Sequence, residues 1–326
     1  MFQTEIKKKF ETKVRGVIGC EPNDDKSIRI LNRVIEWTDR GIEYEADQRH
    51  AEIIVRDSGI GNSTKSVNTP GIKSSSTLEE IAESKLLSST DSTMYRAIAA
   101  RANYLSQDRS DIQFAVKELS RKMSSPNELD WLKIKRLAQY LSRASRVVVK
   151  FYYQKNVSNV TVWSDADWAG SGPGGSRMST SGGVLMLGNH AVKHWSSTQH
   201  TFALSSGESE YYALVKSSSQ ALGLQSMLSD ICVNSLGIEV KTDASAAIGI
   251  ASRRGLGRVR HIEVAQLWIQ EKVANGKLKL IKVPGQVNLA DACTKHVPAD
   301  ILLYHCEHTM QHAQTGRHKL MPNIIM

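Results

Sequence analysis

Four acidic residues of this 326-residue chain fall where the sequence pattern predicts that strands end or helices begin. Asp165 and Asp243 end two predicted strands. Glu210 lies in the first turn of a predicted long helix, and Asp291 lies at the start of a later helix. Carboxylates gathered at one sheet edge repel one another, so they bind cations or share protons. Oxygen ligands suit Mg²⁺ or Mn²⁺, and two such ions about 3.5–4 Å apart can activate water for phosphodiester hydrolysis.

Each of these acids, taken alone, also has an ordinary structural explanation. Aspartate after a strand is a common turn or capping residue, and glutamate in a first helical turn suits the helix dipole. The combination of all four, in this order of elements, favours a metal site. Two neighbours compete for the same role. Asp167 lies two residues beyond Asp165 and faces the same side of an extended strand, whereas Glu208 precedes Glu210 and fits a helix cap.

The elements that must position the acids follow a strand, strand, strand, helix, strand, helix, strand, helix order. Apolar residues alternate with polar ones in the first strand, and recur at helical spacing after Ser205. The predicted strands cover 159–165, 183–187, 191–195, 236–242 and 277–283, and the predicted helices begin near 205, 244 and 288. This order predicts an α/β fold with a mixed sheet flanked by helices.

The remainder of the chain is predicted to form an α-rich region and a tail. Residues 1–156 contain a strand candidate at 51–55, a Ser/Thr-rich linker at about 62–93, a helical pattern from 94 to about 145 and a β-rich stretch at 147–153. The domain boundary is placed between 154 and 158, and a second boundary at 298 leaves a tail at 299–326. The tail carries five residues of metal-ligand type, but their spacing fits no zinc pattern, so a mobile terminus is predicted: His305, Cys306, His308, His312 and His318.

The composition indicates a folded protein with a polyanionic partner. Hydrophobic residues make up 40% of the chain, and 42 basic against 33 acidic residues give a net charge of +9. No run approaches the roughly 18–20 apolar residues of a membrane helix, and the charged N-terminus lacks a signal-peptide core. The four cysteines are scattered. An intracellular protein, cytoplasmic or nuclear and not secreted, is therefore predicted, without a membrane partner.

The motifs around the four acids resemble those of one known family. In chain order they are SDADWAG (164–170), RMSTSG (177–182), WSS (195–197), ALSSGESEYYAL (203–214), RHIE (260–263) and LAD (289–291). In this order they resemble the end of a Ty1/copia-type retrotransposon Pol polyprotein, whose last domain is a ribonuclease H. Looser matches upstream are DQRHAE (47–52), MYR (94–96), ARANYL (100–105) and RSDIQFAV (109–116).

The resemblance implies a fold, a reaction and partners. It implies a ribonuclease H-like domain at 157–298, preceded by the connection region of a reverse transcriptase. The reaction would be metal-dependent cleavage of the RNA strand of an RNA/DNA hybrid. The four acids Asp165, Glu210, Asp243 and Asp291 would hold two Mg²⁺ or Mn²⁺ ions. The other implied partner is the rest of the Pol polyprotein, including a polymerase palm and an integrase.

Candidate nucleic-acid contacts lie in two basic segments. Arg177 and Ser179 precede the second strand and could contact phosphate or ribose hydroxyls, or could be turn residues. The second segment follows Asp243 and could grip a phosphate backbone or form a solvated loop. Its candidate residues are Arg253, Arg254, Arg258, Arg260 and His261. A catalytic role of His261 is the less favoured interpretation.

Several features limit these expectations. Ser110 and His296 stand where the family usually has proline, and Gly207 where threonine is common. The sequence has no Tyr-x-Asp-Asp strand turn, so polymerase activity is not expected. The leading alternative is a catalytically inactive remnant that at most binds nucleic acid. A third interpretation, an ATPase, rests on residues 57–61, which resemble an Asp-x-Gly-x-Gly adenine box but lack the accompanying helix and lid.

Overall fold

The computed structural model describes residues 2–61, 65–73, 77–170, 177–233, 236–257 and 259–324. The strands are β1 Ser27–Ile30, β2 Arg33–Thr38, β3 Gly41–Glu45, β4 Arg146–Tyr152, β5 Asn159–Asp167, β6 Thr180–Leu187, β7 His190–Thr198, β8 Gly237–Thr242, β9 Lys279–Lys282 and β10 Gln311–Gln314. The α-helices are α1 Phe2–Lys9, α2 Gln48–Asp57, α3 Leu78–Glu83, α4 Ser89–Leu105, α5 Gln113–Ser120, α6 Glu128–Arg143, α7 Ser206–Asp230, α8 Ser245–Ala251, α9 Trp268–Ala274 and α10 Ala299–His308. Short 3-10 helices are η1 Ser110–Ile112, η2 Val264–Gln266, η3 Gly285–Val287 and η4 Leu289–Cys293.

The second half of the chain forms the predicted mixed sheet, in the order β7-β6-β5-β8-β9. The strands β5, β6 and β7 pair antiparallel, whereas β8 pairs parallel to β5 and β9 parallel to β8. Val160 and Val162 of β5 are fully buried against α7, as their alternation predicted. Val184 and Met186 of β6 face the opposite side and pack on η4. The predicted α/β fold class is confirmed.

The first half of the chain contains a second sheet that the sequence analysis did not predict. Its order is β1-β2-β3-β4-β10, with antiparallel pairing throughout. The helices α2, α4, α5 and α6 share a buried apolar cluster beside it. The α-rich description of residues 1–156 is thus correct for the helices, and β4 matches the β-rich stretch predicted at 147–153, but β1, β2 and β3 were not predicted. The first three strands are short and half-exposed, so they lack a continuous apolar face.

Two local predictions in this half are wrong. The strand candidate at 51–55 belongs to α2, because the Asp47 side chain caps that helix and Ala51 and Ile54 lie buried one helical turn apart. The linker at 62–93 contains α3 and the start of α4. Thr77 and Ser88 cap these two helices, so part of the Ser/Thr-rich composition is helix-capping chemistry. Residues 62–64 and 74–76 of the predicted linker lie outside the described residues.

The C-terminal tail is also more ordered than predicted. A five-residue 3-10 helix, η4, replaces the helix expected from residue 288, and α10 begins after Pro298. The strand β10 then pairs with β4, with Gln311 opposite Val149. The mobile terminus is therefore a wrong prediction, because residues 299–308 form α10 and β10 completes the first sheet. His305 is buried there.

A buried ion pair at η1, in the first half of the chain, is hydrogen-bonded to α6. Arg109 is fully enclosed and donates two hydrogen bonds, of 2.8 and 2.7 Å, to the two carboxylate oxygens of Asp111. It also donates to the Ala144 carbonyl at 2.8 Å, and the Tyr140 hydroxyl donates to Asp111 at 2.8 Å. Burial opposes ionisation of Asp111, but the charge and hydrogen bonds of Arg109 outweigh it and lower the pKa of Asp111. The pair is therefore charged, and both carboxylate oxygens of Asp111 are hydrogen-bonded.

Arg109→Met should lower the free energy of unfolding by about 3–5 kcal/mol, because it leaves the Asp111 charge buried without its partner. The matched control is Lys279→Met, which breaks the exposed Lys279–Glu239 pair and should cost about 0–1 kcal/mol. Urea denaturation of both variants measures the difference. Equal losses in the two variants would contradict the structural role of the buried pair.

Candidate metal centre

The acidic residues singled out in the sequence come together at one edge of the second sheet. The central strand β5 carries Asp165, and the parallel neighbour β8 ends at Thr242, directly before Asp243. Parallel strands that end at the same edge bring these two residues close. The η4 helix, which packs on β5 and β6, adds Asp291. One carboxylate oxygen from each of Asp165, Asp243 and Asp291 lies within 4.8 Å of the others.

The fourth acid, Glu210, belongs to the same electrostatic cluster. It lies just over one turn into α7, the helix that packs against β5. Burial raises the pKa of Glu210 to about 9, and the charges of Asp165 and Asp243 add to this effect. Glu210 is not one of the three residues whose oxygens lie within 4.8 Å of one another. The structure thus brings three of the four predicted ligands together and places the fourth within their field.

The pKa values of Asp165 and Asp291 are raised, as such crowding predicts. Burial raises the pKa of Asp165, which is only 3% exposed, against opposing effects of Lys295 and Thr294. Burial and the charge of Asp165 raise the pKa of Asp291 to about 7. Each raised pKa means that the fold disfavours the ionised form of the group. A cation among the carboxylates would relieve this cost.

Thr294 and Lys295, which follow Asp291 in the chain, stabilise the cluster directly. The Thr294 hydroxyl donates a hydrogen bond to Asp165 Oδ2. The Lys295 ammonium lies 3.0 Å from Asp291 Oδ2 and 3.8 Å from Asp165 Oδ2. Neither residue was predicted as part of the site, although both directly follow the predicted ligand segment. Their positions at three and four residues after Asp291 were the signal available in the sequence.

Two glycines allow the close approaches that bring the cluster together. A Cβ atom on Gly182 of β6 would lie 2.5 Å from Thr294 Cγ2 and 2.9 Å from Cys293 Cβ, so η4 could not pack as it does. A Cβ atom on Gly285 would lie 2.9 Å from Asp243 Oδ2. Both glycines therefore act through the absence of a side chain.

The donor set fits a hard divalent cation. The ligand atoms are carboxylate oxygens, which Mg²⁺ and Mn²⁺ prefer. Glu210 Oε2 and Asp291 Oδ1 are buried and have no hydrogen-bond partner within the described part of the chain. Unpaired buried carboxylate oxygens are costly unless something binds them. The residues present can therefore hold a metal ion.

The two competing acids have other partners. Asp167, opposite Thr180 of β6, has its pKa raised by burial and by Asp165, while Lys117 opposes the shift. Glu208 accepts hydrogen bonds from the Leu204 amide at 2.9 Å and the Tyr212 hydroxyl at 2.8 Å. Its remaining contact is with His261 Nε2, at 2.9 Å from Glu208 Oε2. These bonds outweigh burial and lower the pKa of Glu208. Glu208 sits at the helix cap, as expected, and His261 lies beside Glu208.

The predicted nucleic-acid contacts divide into exposed and internal residues. Arg177, Arg254 and Arg260 are exposed, and His261 has a side chain that is 44% exposed. Arg253 donates to the Leu256 carbonyl at 2.6 Å and supports its own loop. Arg258 lies outside the described residues.

Ser179 requires a correction. It is only 1% exposed, and its hydroxyl accepts a hydrogen bond from the Ala169 amide at 3.2 Å, where Ala169 has a left-handed φ of 58°. Its hydroxyl stabilises the turn after β5 and is not available to a nucleic acid. The ATPase interpretation also loses its basis, because Asp57 ends helix α2 and no strand leads into residues 57–61.

The sheet order, the helix α7 packed on the sheet and the carboxylates at its edge together define an α/β domain with an acidic cluster at one sheet edge. In sequence the chain is similar to the retrovirus-related Pol polyproteins from transposons RE1 and RE2 of Arabidopsis thaliana. Identities are 31% over 213 residues and 30% over 212 residues, in each case 63% of this chain and 14% of the relative. The Pol polyprotein from transposon TNT 1-94 of Nicotiana tabacum is 29% identical over 191 residues, 58% of this chain and 14% of the relative.

The chain is therefore homologous to Pol polyproteins of copia-type transposons, and the resemblance carried by its motifs is confirmed. It spans 14% of the length of these relatives. No protein-family model matches the chain. Among solved structures it is similar to a ribonuclease H1 isolated from compost by a metagenomic approach. The sequence identity is 16%, and the match covers 42% of this chain and 93% of that chain with a TM-score of 0.30. The same enzyme in complex with an RNA/DNA hybrid gives 17% identity, 40% and 88% coverage and a TM-score of 0.26.

No helix in the part of the chain that the structure describes is long and apolar enough to cross a membrane.

The raised pKa values predict how stability depends on pH when divalent metal is removed. The pKa of Glu210 rises from its ordinary 4.5 to about 9 on folding, so between these values the folded protein binds more protons than the unfolded chain. Stability should therefore fall as pH rises from about 5 to 9 in EDTA. Glu210→Gln, which cannot ionise, should weaken this dependence in thermal melts, most clearly above about pH 7, because Asp291 with its pKa of about 7 still contributes below that pH. The exposed control Glu271→Gln should keep it, and a melting temperature of the native protein that is flat over this range would refute the effect.

Proposed function

We propose that residues 157–298 hydrolyse the RNA strand of RNA/DNA hybrids with two divalent ions, Mg²⁺ or Mn²⁺. Asp165, Glu210, Asp243 and Asp291 are the proposed ligands. The single observation that carries the proposal is the convergence of Asp165, Asp243 and Asp291 to within 4.8 Å of one another at the sheet edge. The unpaired oxygens of Glu210 and Asp291 support it. When bound, the divalent ions would supply an activated water and stabilise the leaving oxygen.

The residues of the chain prepare the site for this reaction. Asp165 lies on the rigid central strand and is held by the Thr294 hydroxyl, so its carboxylate has a fixed orientation. Glu210 approaches from α7, the long helix that packs on β5. Lys295 balances part of the negative charge of Asp165 and Asp291. Ligands on a strand and on a long packed helix are held more precisely than ligands on loops.

The proposed substrate is anionic, and exposed arginine side chains follow the proposed ligand Asp243 in the sequence. Arg254 and Arg260 are exposed in the loop that follows α8, and α8 directly follows Asp243. Arg177 is exposed beside β6. Together with a net charge of +9, these side chains favour binding to a phosphate backbone. The rest of a Pol polyprotein, with a polymerase palm and an integrase, is the proposed second partner.

The direct test is cleavage of a labelled RNA/DNA hybrid by the purified chain with Mg²⁺ or Mn²⁺. We expect Asp165→Asn and Asp243→Asn to reduce the rate at least about a hundredfold, because each removes a ligand charge from the centre. The matched control Asp230→Asn, at the exposed end of α7, should leave the rate unchanged. RNA duplex and DNA duplex serve as control substrates. Folded protein that binds hybrid without cleaving it would instead support the inactive remnant.

A salt titration tests the proposed arginine contacts. If Arg254 and Arg260 each neutralise one phosphate, the double variant Arg254→Gln/Arg260→Gln should reduce the slope of log affinity against log salt by about 2. Fluorescence anisotropy of a labelled hybrid, with Ca²⁺ in place of Mg²⁺ to prevent turnover, measures the slope. The control is Lys13→Gln/Arg15→Gln, which removes two exposed charges from the N-terminal segment. Equal changes in both double variants would show a general charge effect and no specific contact.

A further inference from the structure

A chain of buried hydrogen bonds connects the first sheet to η4, the 3-10 helix that carries Asp291. At its centre is His305 of α10, which is only 1% exposed. His305 Nδ1 lies 2.9 Å from the Leu289 carbonyl oxygen, and Nε2 lies 2.7 Å from Ser110 Oγ. Because a carbonyl only accepts, Nδ1 must carry the proton. Burial lowers the pKa of His305 and keeps the ring neutral, so the other nitrogen accepts from the Ser110 hydroxyl.

The bond chain continues to the edge of the first sheet. The side-chain amide of Gln311 donates to Ser110 Oγ, and it also contacts Thr309 Oγ1 at 2.7 Å. Gln311 lies on β10, opposite Val149 of β4. Ser110 thus accepts from Gln311 and donates to His305, so its hydroxyl links the two side chains. The bonds run without interruption from β10 through η1 and α10 to η4.

The η4 helix needs such external support. It contains five residues, and a short 3-10 helix has poor intrinsic stability. On one side Leu289 and Cys293 pack against β6. On the other side Ala292 packs into the apolar cluster of the first half, together with Leu302 of α10. The bond from His305 is the polar contact that joins α10 to the backbone of η4, two residues before Asp291.

We infer that His305 is a positioning residue for the acidic centre: by holding the Leu289 carbonyl it fixes η4, and hence Asp291, relative to Asp165. The inference rests on the proposed function, because it takes Asp291 as a metal ligand. It makes the first sheet and the C-terminal tail part of the scaffold of the centre. Ser110 stands where the resembling family usually has proline, and proline could not make this bond.

The test uses Cys293 as a reporter, since this thiol is completely buried in η4 two residues after Asp291. The alkylation rate of Cys293 by iodoacetamide, followed by mass spectrometry in EDTA, measures local release of η4. His305→Leu removes both bonds and should accelerate alkylation about tenfold or more. His305→Asn keeps an amide donor near the Leu289 carbonyl and should restore protection to within about twofold.

The matched control is His308→Leu on the same helix. His308 is exposed and contacts only the Tyr304 carbonyl of α10 and the Tyr304 ring, within the described part of the chain, so Cys293 should stay protected. Unchanged alkylation in His305→Leu would overturn the inference. Alkylation in His305→Asn as fast as in His305→Leu would also overturn it, because the bond to Leu289 would then be irrelevant. The inference would also be overturned if a lower free energy of global unfolding in His305→Leu accounted for the faster alkylation of Cys293.

The second readout is Mg²⁺ affinity by titration calorimetry. His305→Leu should weaken binding about tenfold, as loss of an outer-shell support does, whereas His308→Leu should not. Released Cys293 with unchanged Mg²⁺ affinity would overturn the positioning role. If the native chain neither binds Mg²⁺ nor cleaves hybrid, the proposed function fails. Faster Cys293 alkylation in His305→Leu would then still support the hold of His305 on η4.

Discussion

Repulsion among buried carboxylates is the constraint on which the second half of the molecule depends. One sheet edge brings together Asp165, Asp243 and Asp291. The charges of Asp165 and Asp243 also raise the pKa of Glu210. A fold left to its own apolar preferences would separate these groups, because burial and like charge both oppose ionisation. The strand β5, the long helix α7 and the packed η4 hold them in place against that opposition. Rigidity around the cluster is therefore a requirement of the site.

The carboxylates come from elements that are stabilised in different ways. Asp165 belongs to the central strand, which is paired on both sides. Glu210 belongs to a 25-residue helix with a buried face. Asp291 depends on a five-residue helix that is wedged between two apolar clusters. Asp291 thus lies on the shortest of these elements, and that element is the one that the first half of the chain supports. The two halves of the chain pack together at η4.

The parts of the structure that were predictable from sequence are those with local signals. Alternation revealed β5, and helical spacing after Ser205 revealed α7. The strands β1–β3 were not predicted, because their side chains are half-exposed and mixed in polarity. The apolar run at 53–55 suggested a strand, although the cap at Asp47 marked a helix. The three apolar residues alone fit either element, so the cap was the local signal that favoured the helix.

Long-range features of the site were beyond local pattern. The bonds that link Ser110 with His305 and with Gln311 join residues 195 and 201 positions apart, and no sequence periodicity indicates them. The histidines of the tail suggested a metal-binding or mobile terminus when taken as residue types. In the structure His305 is a neutral core residue, because burial lowers its pKa against the opposing effect of the Leu289 bond. Residue type alone does not reveal such a partner.

The pairing of β10 with β4 has a consequence for the order in which the chain can fold. The second sheet, from β5 to β9, lies in sequence between these two paired strands. During synthesis β4 therefore remains an open edge of the first sheet until β10 has also been made. Open strand edges recruit other chains, and contacts distant in sequence form slowly. The newly made protein consequently passes through a period of exposure to self-association that ends only when its last strand docks.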